Sequence, residues 1–340
     1  MLLRIQASSA WNCLIVWELM NHLPKVELHL HLDCSLSYAV VSRLDPSVSR
    51  AEFESEFVAP PQCTSLVDFL KRAPRGFQLM QDEDSLRLVT EDVFEQLLAD
   101  HVIYVEIRFA PLLHLTKGQA VVAVVDRATE ECIRATGIEA RLILCTLRHF
   151  SQQQSQLTAE LVERFQGSRV VALDLAGDEA GFPIDAHVSA FRFAIDRGLN
   201  RTAHAGEALG PSSIWQTLHA FEPARIGHGV RSSEDPELVK HLKTEGIHLE
   251  ICPSSNIQTR VCSAYLHHPV DNLLRAGVSI GINTDARTIT NVTLNQEYAR
   301  LREHFGWDRA EFLACNRSAI GAAFVDELTR ERFTSRLTAH

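Results

Sequence analysis

The sequence has no dense run of lysine or arginine, and its 33 basic residues are outnumbered by 43 acidic ones, for a formal net charge of −10 over 340 residues. A protein that binds nucleic acid or an anionic membrane needs a basic surface, so neither is expected as a partner. Beyond residue 24, no stretch stays apolar for the roughly 18 residues that a membrane-spanning helix requires. These absences favour a protein that acts on small molecules.

The eight cysteines form neither a CxxC pair nor a tight cluster. A chain of this length with 46% apolar residues can bury a core without disulfides, so the pattern favours reduced thiols and a cytoplasmic protein. The sequence also has no internal linker and no low-complexity tract, which favours a single domain.

The first 24 residues resemble a secretory signal only superficially. A basic residue precedes an apolar stretch, but Glu18 interrupts it and no small-residue cleavage site follows before Pro24. A start of translation at Met20 is the better explanation of this segment. We therefore expect residues 1–24 to be an N-terminal extension, in part not native, and residues 25–340 to form one domain.

Eight short apolar blocks follow Pro24, and each ends in polar residues. They are nearly continuous in hydrophobicity, which is typical of buried parallel strands. Segments with a helical pattern separate them; in one, Asp235 can cap, Pro236 suits the first turn and Gly246 suits the exit. The blocks are 26–33, 104–111, 140–147, 170–177, 200–207, 224–230, 248–256 and 278–285.

Eight strand–helix units favour a closed (β/α)8 TIM-type barrel over an open doubly wound sheet. An open sheet would usually carry a GxGxxG fingerprint after its first strand, and none follows residues 26–33. The long interval before the second strand predicts an inserted helical lid over 48–82 and a helix near 85–100. Residues 308–336 predict extra C-terminal helices.

Histidines and acids gather where the predicted strands end. In a (β/α)8 barrel these ends form the active-site mouth, so the side chains should converge. His29 and His31, two residues apart on one strand, point to the same side, as two ligands of one metal require. Taken alone, this HxH pair fits core or surface histidines equally well. The whole set is His29, His31, His204, Glu207, His228 and Asp285.

Three imidazoles and one carboxylate, from His29, His31, His204 and Asp285, are a donor set that suits one Zn²⁺ per chain. Fe²⁺ and Mn²⁺ are alternatives, because this donor set also accepts them. A bound zinc ion lowers the pKa of its water to about 7. With Asp285 given to the metal, Glu207 is the carboxylate left in the set to act as a general acid.

Seven motifs resemble, in order, those of the adenosine deaminase family of the amidohydrolase superfamily. The resemblance covers the chain from Lys25 to about Tyr298 and implies a metal-bearing barrel. It also implies hydrolytic deamination of adenosine, together with 2′-deoxyadenosine, to inosine and ammonia by attack of zinc-bound hydroxide at C6. The motifs are PKVELHLHLD, YVEIRFAP, LDLAGDE, HAGE, RIGHGV, CPSSN and NTD.

The resemblance implies the metal ligands already named and a catalytic group of Glu207, His228 and Asp285. Glu207 would protonate the purine ring nitrogen beside C6, and His228 would orient the hydroxide and share in its deprotonation. Each residue has a structural alternative. Glu207 would also be favourable as an acid at a helix start, and His228 as a hydrogen-bonded core histidine.

The resemblance further implies substrate contacts from Gly177, Asp33 and the position of Ala286. Gly177 would donate its backbone N–H to a ring nitrogen, and Asp33 would accept from a ribose hydroxyl. A tight turn at Gly177 and a helix N-cap at Asp33 are the structural alternatives.

Two residues depart from the family pattern, Cys34 where the family usually has glycine and Ala286 where it usually has a second acid. Without that acid the purine five-membered ring lacks a hydrogen-bond partner, unless water or Arg287 takes its place. Strand alternation predicts that Cys34 lies on the face opposite the metal and is not a ligand.

Other activities remain open at this stage. Related adenine deaminases typically have Glu where Asp33 stands, and methyl-AMP deaminases have Asn, so Asp33 favours a nucleoside. Adenine and aminodeoxyfutalosine stay as alternative substrates because of Ala286. A binuclear amidohydrolase would need a lysine at the end of the fourth strand, and LDLAGDE has none. A non-catalytic purine-binding or signalling barrel is the remaining alternative.

Overall fold

The structure, a computed structural model, describes residues 22–114 and 118–338, so most of the predicted N-terminal extension lies outside the described residues. Eight parallel strands pair in chain order. The first strand closes onto the segment after the last one through hydrogen bonds between His31 N and Asp285 O (2.7 Å) and between Asp285 N and His29 O (3.0 Å). The (β/α)8 barrel is confirmed. Its strands are β1 (Lys25–His31), β2 (Val102–Phe109), β3 (Glu139–Leu147), β4 (Val170–Ala176), β5 (Asn200–Ala205), β6 (Arg225–His228), β7 (His248–Ile251) and β8 (Ile280–Ile282).

Helices lie between the strands and after the last one. Among the described residues, no helix is both long and apolar enough to cross a membrane. The α-helices are Tyr38–Leu44, Arg50–Glu56, Leu66–Leu70, Ala73–Phe77, Glu83–Ala99, Gly118–Thr136, Gln152–Arg164, Val188–Asp196, Pro211–Phe221, Pro236–Glu245, Pro253–Gln258, Val270–Ala276, Arg287–Thr290, Leu294–Phe305, Arg309–Ala322 and Glu327–Thr338.

Seven of the eight predicted strands run one to five residues too far at their C-terminal ends, whereas the third ends at Leu147 as expected. The seventh block was expected to extend to residue 256, yet β7 stops at Ile251 and a helix begins at Pro253. Proline has no N–H to give to the sheet and suits the first turn of a helix, so the strand cannot continue through it. The residues that end the other seven predicted blocks therefore belong to the loops of the barrel mouth.

The helical insertion after β1 is present but begins earlier than the predicted residue 48. Its first helix starts at Tyr38, because the Ser37 hydroxyl accepts a hydrogen bond from Val40 N (3.3 Å) and caps it. Four short helices, ending at Phe77, make up the insertion. The predicted C-terminal helices are confirmed, and a further helix, Leu294–Phe305, precedes them.

Candidate active site

Four buried side chains converge at the C-terminal ends of the strands. One ligand atom from each of His29, His204, His228 and Asp285 lies within 4.8 Å of the others. His31 joins them, because its Nε2 lies 3.2 Å from His204 Nε2 and 3.5 Å from Asp285 Oδ1. The structure thus brings together five of the six groups that the sequence placed at strand ends, and the buried cluster suggests a metal site.

The tautomers of two of these histidines fit a cation. His29 Nδ1 donates to Glu250 Oε2 (2.8 Å) and His204 Nδ1 donates to Asp174 Oδ2 (3.2 Å), so each Nε2 turns a lone pair toward the centre. His29 Nε2 is buried and has no hydrogen-bond partner, although Asp285 Oδ1 lies 3.3 Å away. Two acceptors at that distance repel each other unless a positive charge lies between them, and a metal ion supplies it.

The charge states of the cluster also suit a metal. Burial lowers the pKa of His31 to about 3 and also lowers the pKa of His204, so both imidazoles are neutral, as metal ligands must be. Burial alone would raise the pKa of Asp285, but its close contact with His29 and the surrounding histidines hold that pKa well below the ordinary value. His31 and His204 therefore offer neutral nitrogens and Asp285 an anionic oxygen, while the carboxylates of Asp285 and Glu250 outweigh burial and raise the pKa of His29 above its ordinary value.

His228 differs from the other histidines in its tautomer. The backbone N–H of Val270 donates to His268 Nδ1 (3.1 Å), so His268 Nε2 carries the hydrogen and donates to Asn256 Oδ1 (3.2 Å). The Asn256 amide nitrogen then donates to His228 Nδ1 (3.1 Å), which leaves the hydrogen of His228 on Nε2. His228 accordingly presents an N–H to the centre, whereas His29 and His204 present lone pairs.

Glu207 lies beside that N–H, with Oε2 3.6 Å from His228 Nε2. Burial, followed by the charges of Asp285 and Glu179, raises the pKa of Glu207 well above the ordinary value. A raised pKa lets a carboxyl keep its proton to higher pH, which suits a general acid. The alternative of a helix-start acid is wrong, because the following helix begins at Pro211 with no acid in its first turn.

A layer of buried charges beneath the histidines was missed by the sequence analysis. Arg108 donates to Asp174 (3.1 Å) and to Glu250 (2.6 Å), the two carboxylates that orient His204 and His29. All three charged side chains are fully buried. The available signal was a charged residue inside an otherwise apolar strand, as in VIYVEIRF, VVALDLA and HLEI. Such residues point into the barrel, where burial is tolerated only with partners.

Two cavities open onto the cluster. The smaller, about 50 Å³, is lined by Glu207, His228, Asp285 and Ala286 among others. The larger, about 320 Å³, extends from it past Gly177 and has a mainly apolar wall. Its apolar lining includes Leu70, Ala73, Pro74, Phe77, Leu113 and Leu147.

Asp33 lies on the wall of the larger cavity. Its Oδ2 accepts from Ala110 N (3.1 Å) and lies 3.5 Å from His114 Nε2, while its buried Oδ1 has no partner. Burial alone would raise the pKa of Asp33, but the hydrogen bond and charge of His114 lower it below the ordinary value. The helix N-cap alternative is wrong, since Ser37 caps the next helix. Asp33 therefore has one oxygen available for a ligand.

Gly177 follows β4 directly and lines both cavities. Its φ of +101° is a conformation that side chains rarely adopt, so glycine is required there by the turn. The positive φ agrees with the tight-turn alternative, and the backbone of Gly177 also lies at the cavity wall. The N–H contact to a substrate stays a prediction.

The Ala286 side of the small cavity is apolar. Ala286 is buried in a cluster with Leu66, Phe69 and Ile289, against which Cys34 packs. Cys34 lines both cavities, and burial raises the pKa of its thiol well above the ordinary value. The expected reason for its exclusion from the metal was wrong: β1 ends at His31, so strand alternation does not extend to Cys34.

Arg287 does not replace the missing acid. Its guanidinium donates to Glu27 (2.8 Å) and to Asp100 (2.7 Å), and it is buried away from both cavities. The expectation that Arg287 might contact the five-membered ring is therefore wrong, because both carboxylates are better partners than a ring nitrogen.

Comparison with known proteins identifies similar chains over nearly the whole length. A family model described as adenosine deaminase matches residues 24–340. The chain is 33% identical to an adenosine deaminase of Lacticaseibacillus paracasei over 94% of this chain and 97% of that one, and 36% identical to an adenine deaminase of Rhizobium etli over 93% and 99%. A crystal structure of an Arabidopsis N6-mAMP deaminase superposes with a TM-score of 0.84 at 26% identity, covering 95% of this chain and all of the other.

Proposed function

Because this chain belongs to the adenosine deaminase family, we propose that it hydrolyses adenosine to inosine, and 2′-deoxyadenosine to 2′-deoxyinosine, with release of ammonia. The family membership establishes a hydrolytic deaminase. The proposal rests on a difference in tautomer among the histidines: His29 and His204 direct lone pairs at the centre of the site, whereas His228 directs an N–H at it.

The proposed metal is one Zn²⁺ per chain, held by His29, His31, His204 and Asp285. The buried Nε2 of His29 without a partner and the anionic Asp285 support this donor set. When bound, zinc would supply a nucleophile at neutral pH by acidifying its water. Iron and manganese accept the same donors, so metal analysis of purified protein decides among them.

The chain's own residues supply the proton steps. Glu207, whose pKa burial raises, would protonate the purine ring nitrogen beside C6 as that carbon becomes tetrahedral. His228 directs its Nε2–H at the attacking oxygen and orients it. Asp285, whose Oδ1 faces both His29 and His31, accepts the proton that the nucleophile gives up. Asp285 would then return that proton to the C6 amino group, which leaves as ammonia while the C6 hydroxyl gives its proton back to Glu207 and becomes a carbonyl.

The substrate contacts favour a nucleoside. The small cavity has room for the reacting edge of a purine, so the sugar must extend into the larger cavity beside it. There the unpartnered Oδ1 of Asp33 can accept from a ribose hydroxyl, and Gly177 offers backbone to a ring nitrogen. Adenine has no sugar, so the buried Asp33 Oδ1 would stay without a hydrogen-bond donor, which disfavours the free base as the substrate.

The larger cavity supports a second candidate, aminodeoxyfutalosine, a 6-aminopurine nucleoside that carries an aryl group beyond the sugar. Leu113, Leu147 and Phe77 give the cavity an apolar wall that suits such a group. Adenosine remains the leading candidate because the matching family model is described as adenosine deaminase and Asp33 has a buried oxygen without a partner for a sugar hydroxyl.

The test is ammonia release from adenosine, deoxyadenosine, adenine and aminodeoxyfutalosine, with zinc counted per chain. His204→Ala should lower bound zinc and abolish turnover, while His219→Ala, at an exposed histidine outside the site, should change neither. Full zinc occupancy and normal turnover in His204→Ala would contradict the metal assignment. Preference for adenine or aminodeoxyfutalosine would replace adenosine as the substrate and leave the metal assignment in place.

A further inference from the structure

Glu179 is a buried carboxylate with five hydrogen-bond donors and no assigned role. It follows β4 in the LDLAGDE motif and is 2% exposed. Its Oε1 accepts from Gly206 N (2.7 Å) and from the Ser213 hydroxyl (2.6 Å). Its Oε2 accepts from the backbone N–H groups of the three residues that follow Gly206: Glu207 (3.0 Å), Ala208 (2.5 Å) and Leu209 (2.9 Å).

Four consecutive backbone N–H groups that point at one place form a nest that ordinarily binds an anion. Here the chain provides the anion itself, from a different strand–loop unit. The nest spans the turn between β5 and helix Pro211–Phe221, and Glu207 lies inside it. The conformation of that turn is therefore set by Glu179 rather than by local secondary structure.

We propose that Glu179 is the positioning residue for Glu207: it binds the turn of residues 206–209 and thereby fixes the Glu207 carboxyl beside His228. This inference rests on the proposed role of Glu207 as general acid. Two independent observations support it. The donors belong to the residue that is positioned and to its immediate neighbours, and Ser213 ties the same carboxylate to the next helix. Glu179 does not line the small cavity, so it acts through Glu207 and not on the substrate.

The isosteric variant Glu179→Gln tests the proposal. Its amide NH₂ would face N–H donors, so the nest would lose at least two of its five hydrogen bonds and the turn would loosen. We expect kcat to fall about 100-fold or more, with KM within about threefold, because misplacement of a proton donor acts on the transition state. Glu179→Asp, which keeps the charge on a shorter side chain, should recover part of kcat.

The matched control is Asp126→Asn, at the opposite end of the barrel. Asp126 is also a carboxylate that accepts a backbone N–H, from Arg169 (3.0 Å), but it touches no site residue. A purely structural role would give both variants the same loss of melting temperature and an unchanged kcat.

Two further measurements separate positioning from general damage. Amide hydrogen exchange should show faster exchange at residues 206–209 in Glu179→Gln and unchanged exchange in the barrel strands. In a Glu207→Gln background, adding Glu179→Gln should lower the residual kcat by less than about threefold, because the residue it positions is already disabled. If Glu179→Gln does not fold, Ser213→Ala, which removes one donor, should still give a measurable loss of kcat at constant KM.

The outcomes distinguish this inference from the proposed function. Independent, multiplying effects of the two substitutions, or unchanged exchange at residues 206–209, would overturn the role of Glu179. If Glu207→Gln alone leaves kcat within about tenfold of the parent, the assignment of Glu207 itself fails, and the role of Glu179 fails with it.

Discussion

The tautomer of His228 gives the sharpest prediction for this site, and Asn256→Asp is the change that reverses it. In the structure the Asn256 amide nitrogen donates to His228 Nδ1, which places the imidazole hydrogen on Nε2. An aspartate of the same shape has only acceptor oxygens, so His228 must donate from Nδ1 instead. Its Nε2 would then present a lone pair to the centre and lose the hydrogen that orients the nucleophile.

The expected fall in kcat follows from which catalytic contributions Asn256→Asp removes and which it keeps. The metal ligands and Glu207 are untouched, so only the contribution of His228 to orientation and proton transfer disappears, about 10²–10⁴-fold in kcat. His268 Nε2–H still has an oxygen to donate to, so the pocket keeps that hydrogen bond. A buried charge replaces a neutral amide, and we expect a loss of unfolding free energy of about 1–3 kcal/mol.

Steady-state kinetics, zinc content and urea unfolding of Asn256→Asp form the assay. The matched control is Asn316→Asp, a buried amide that accepts from Val26 N (2.9 Å) and donates to Pro24 O (3.3 Å), away from both cavities. It should lose comparable stability with an unchanged kcat. If Asn256→Asp instead keeps kcat and changes zinc affinity, His228 is a metal ligand and the tautomer argument is refuted.

Three further predictions concern the buried charges and the base pocket. Glu250→Gln weakens the hydrogen-bond partner of His29 and should lower zinc affinity about 10- to 100-fold in a chelator competition. The control is Glu106→Gln, in the same barrel interior without a histidine contact, which should lower stability and leave zinc affinity unchanged. Ala286→Asp should raise kcat/KM for adenosine about tenfold or more and lose that gain with 7-deazaadenosine, because a hydrogen bond to a charged group is worth about 1.5–3 kcal/mol; equal gains on both nucleosides would contradict it. Burial raises the pKa of Glu297 from 4.5 to about 7, so its stabilising effect is complete below pH 4.5 and is lost as the pH rises through 7. Glu297→Gln should therefore be more stable than the parent by about 3 kcal/mol at pH 8 and nearly equal at pH 4.5 in urea unfolding; equal stability at both pH values would show that this carboxyl is not strained by burial.

The barrel could be predicted because its signals are local. Each strand is a short β-branched block, and the residues that stop it, such as Pro253, follow within a few positions. The ends of the blocks were misplaced because polar residues of the mouth continue the same sequence pattern without a break. The insertion was placed too late for a similar reason: Ser37 is a good N-cap, but the helix it starts is only seven residues long and has little apolar periodicity.

The groups that orient the site could not be predicted from spacing. Asp174 and Glu250 lie 30 and 221 residues from the histidines they hold, and Glu179 lies 28 residues from the acid we propose it positions. Pairing of β4 with β5 brings Asp174 to His204 and Glu179 to the turn of Glu207, whereas closure of the barrel brings Glu250 to His29. A buried charge in a strand shows that some partner exists, but the sequence does not say which one.

In the proposed mechanism histidine has two functions, and the atom that contacts Nδ1 decides between them. A carboxylate at Nδ1 of His29 and His204 leaves a lone pair for a cation, and an amide N–H at Nδ1 of His228 leaves a hydrogen for an oxygen. The motifs HLHLD, HAGE and RIGHGV contain these histidines but do not distinguish their roles. The distinction between ligand and proton donor therefore resides in Glu250, Asp174 and Asn256, and substitutions at those three positions should change the roles of the histidines without changing the histidines themselves.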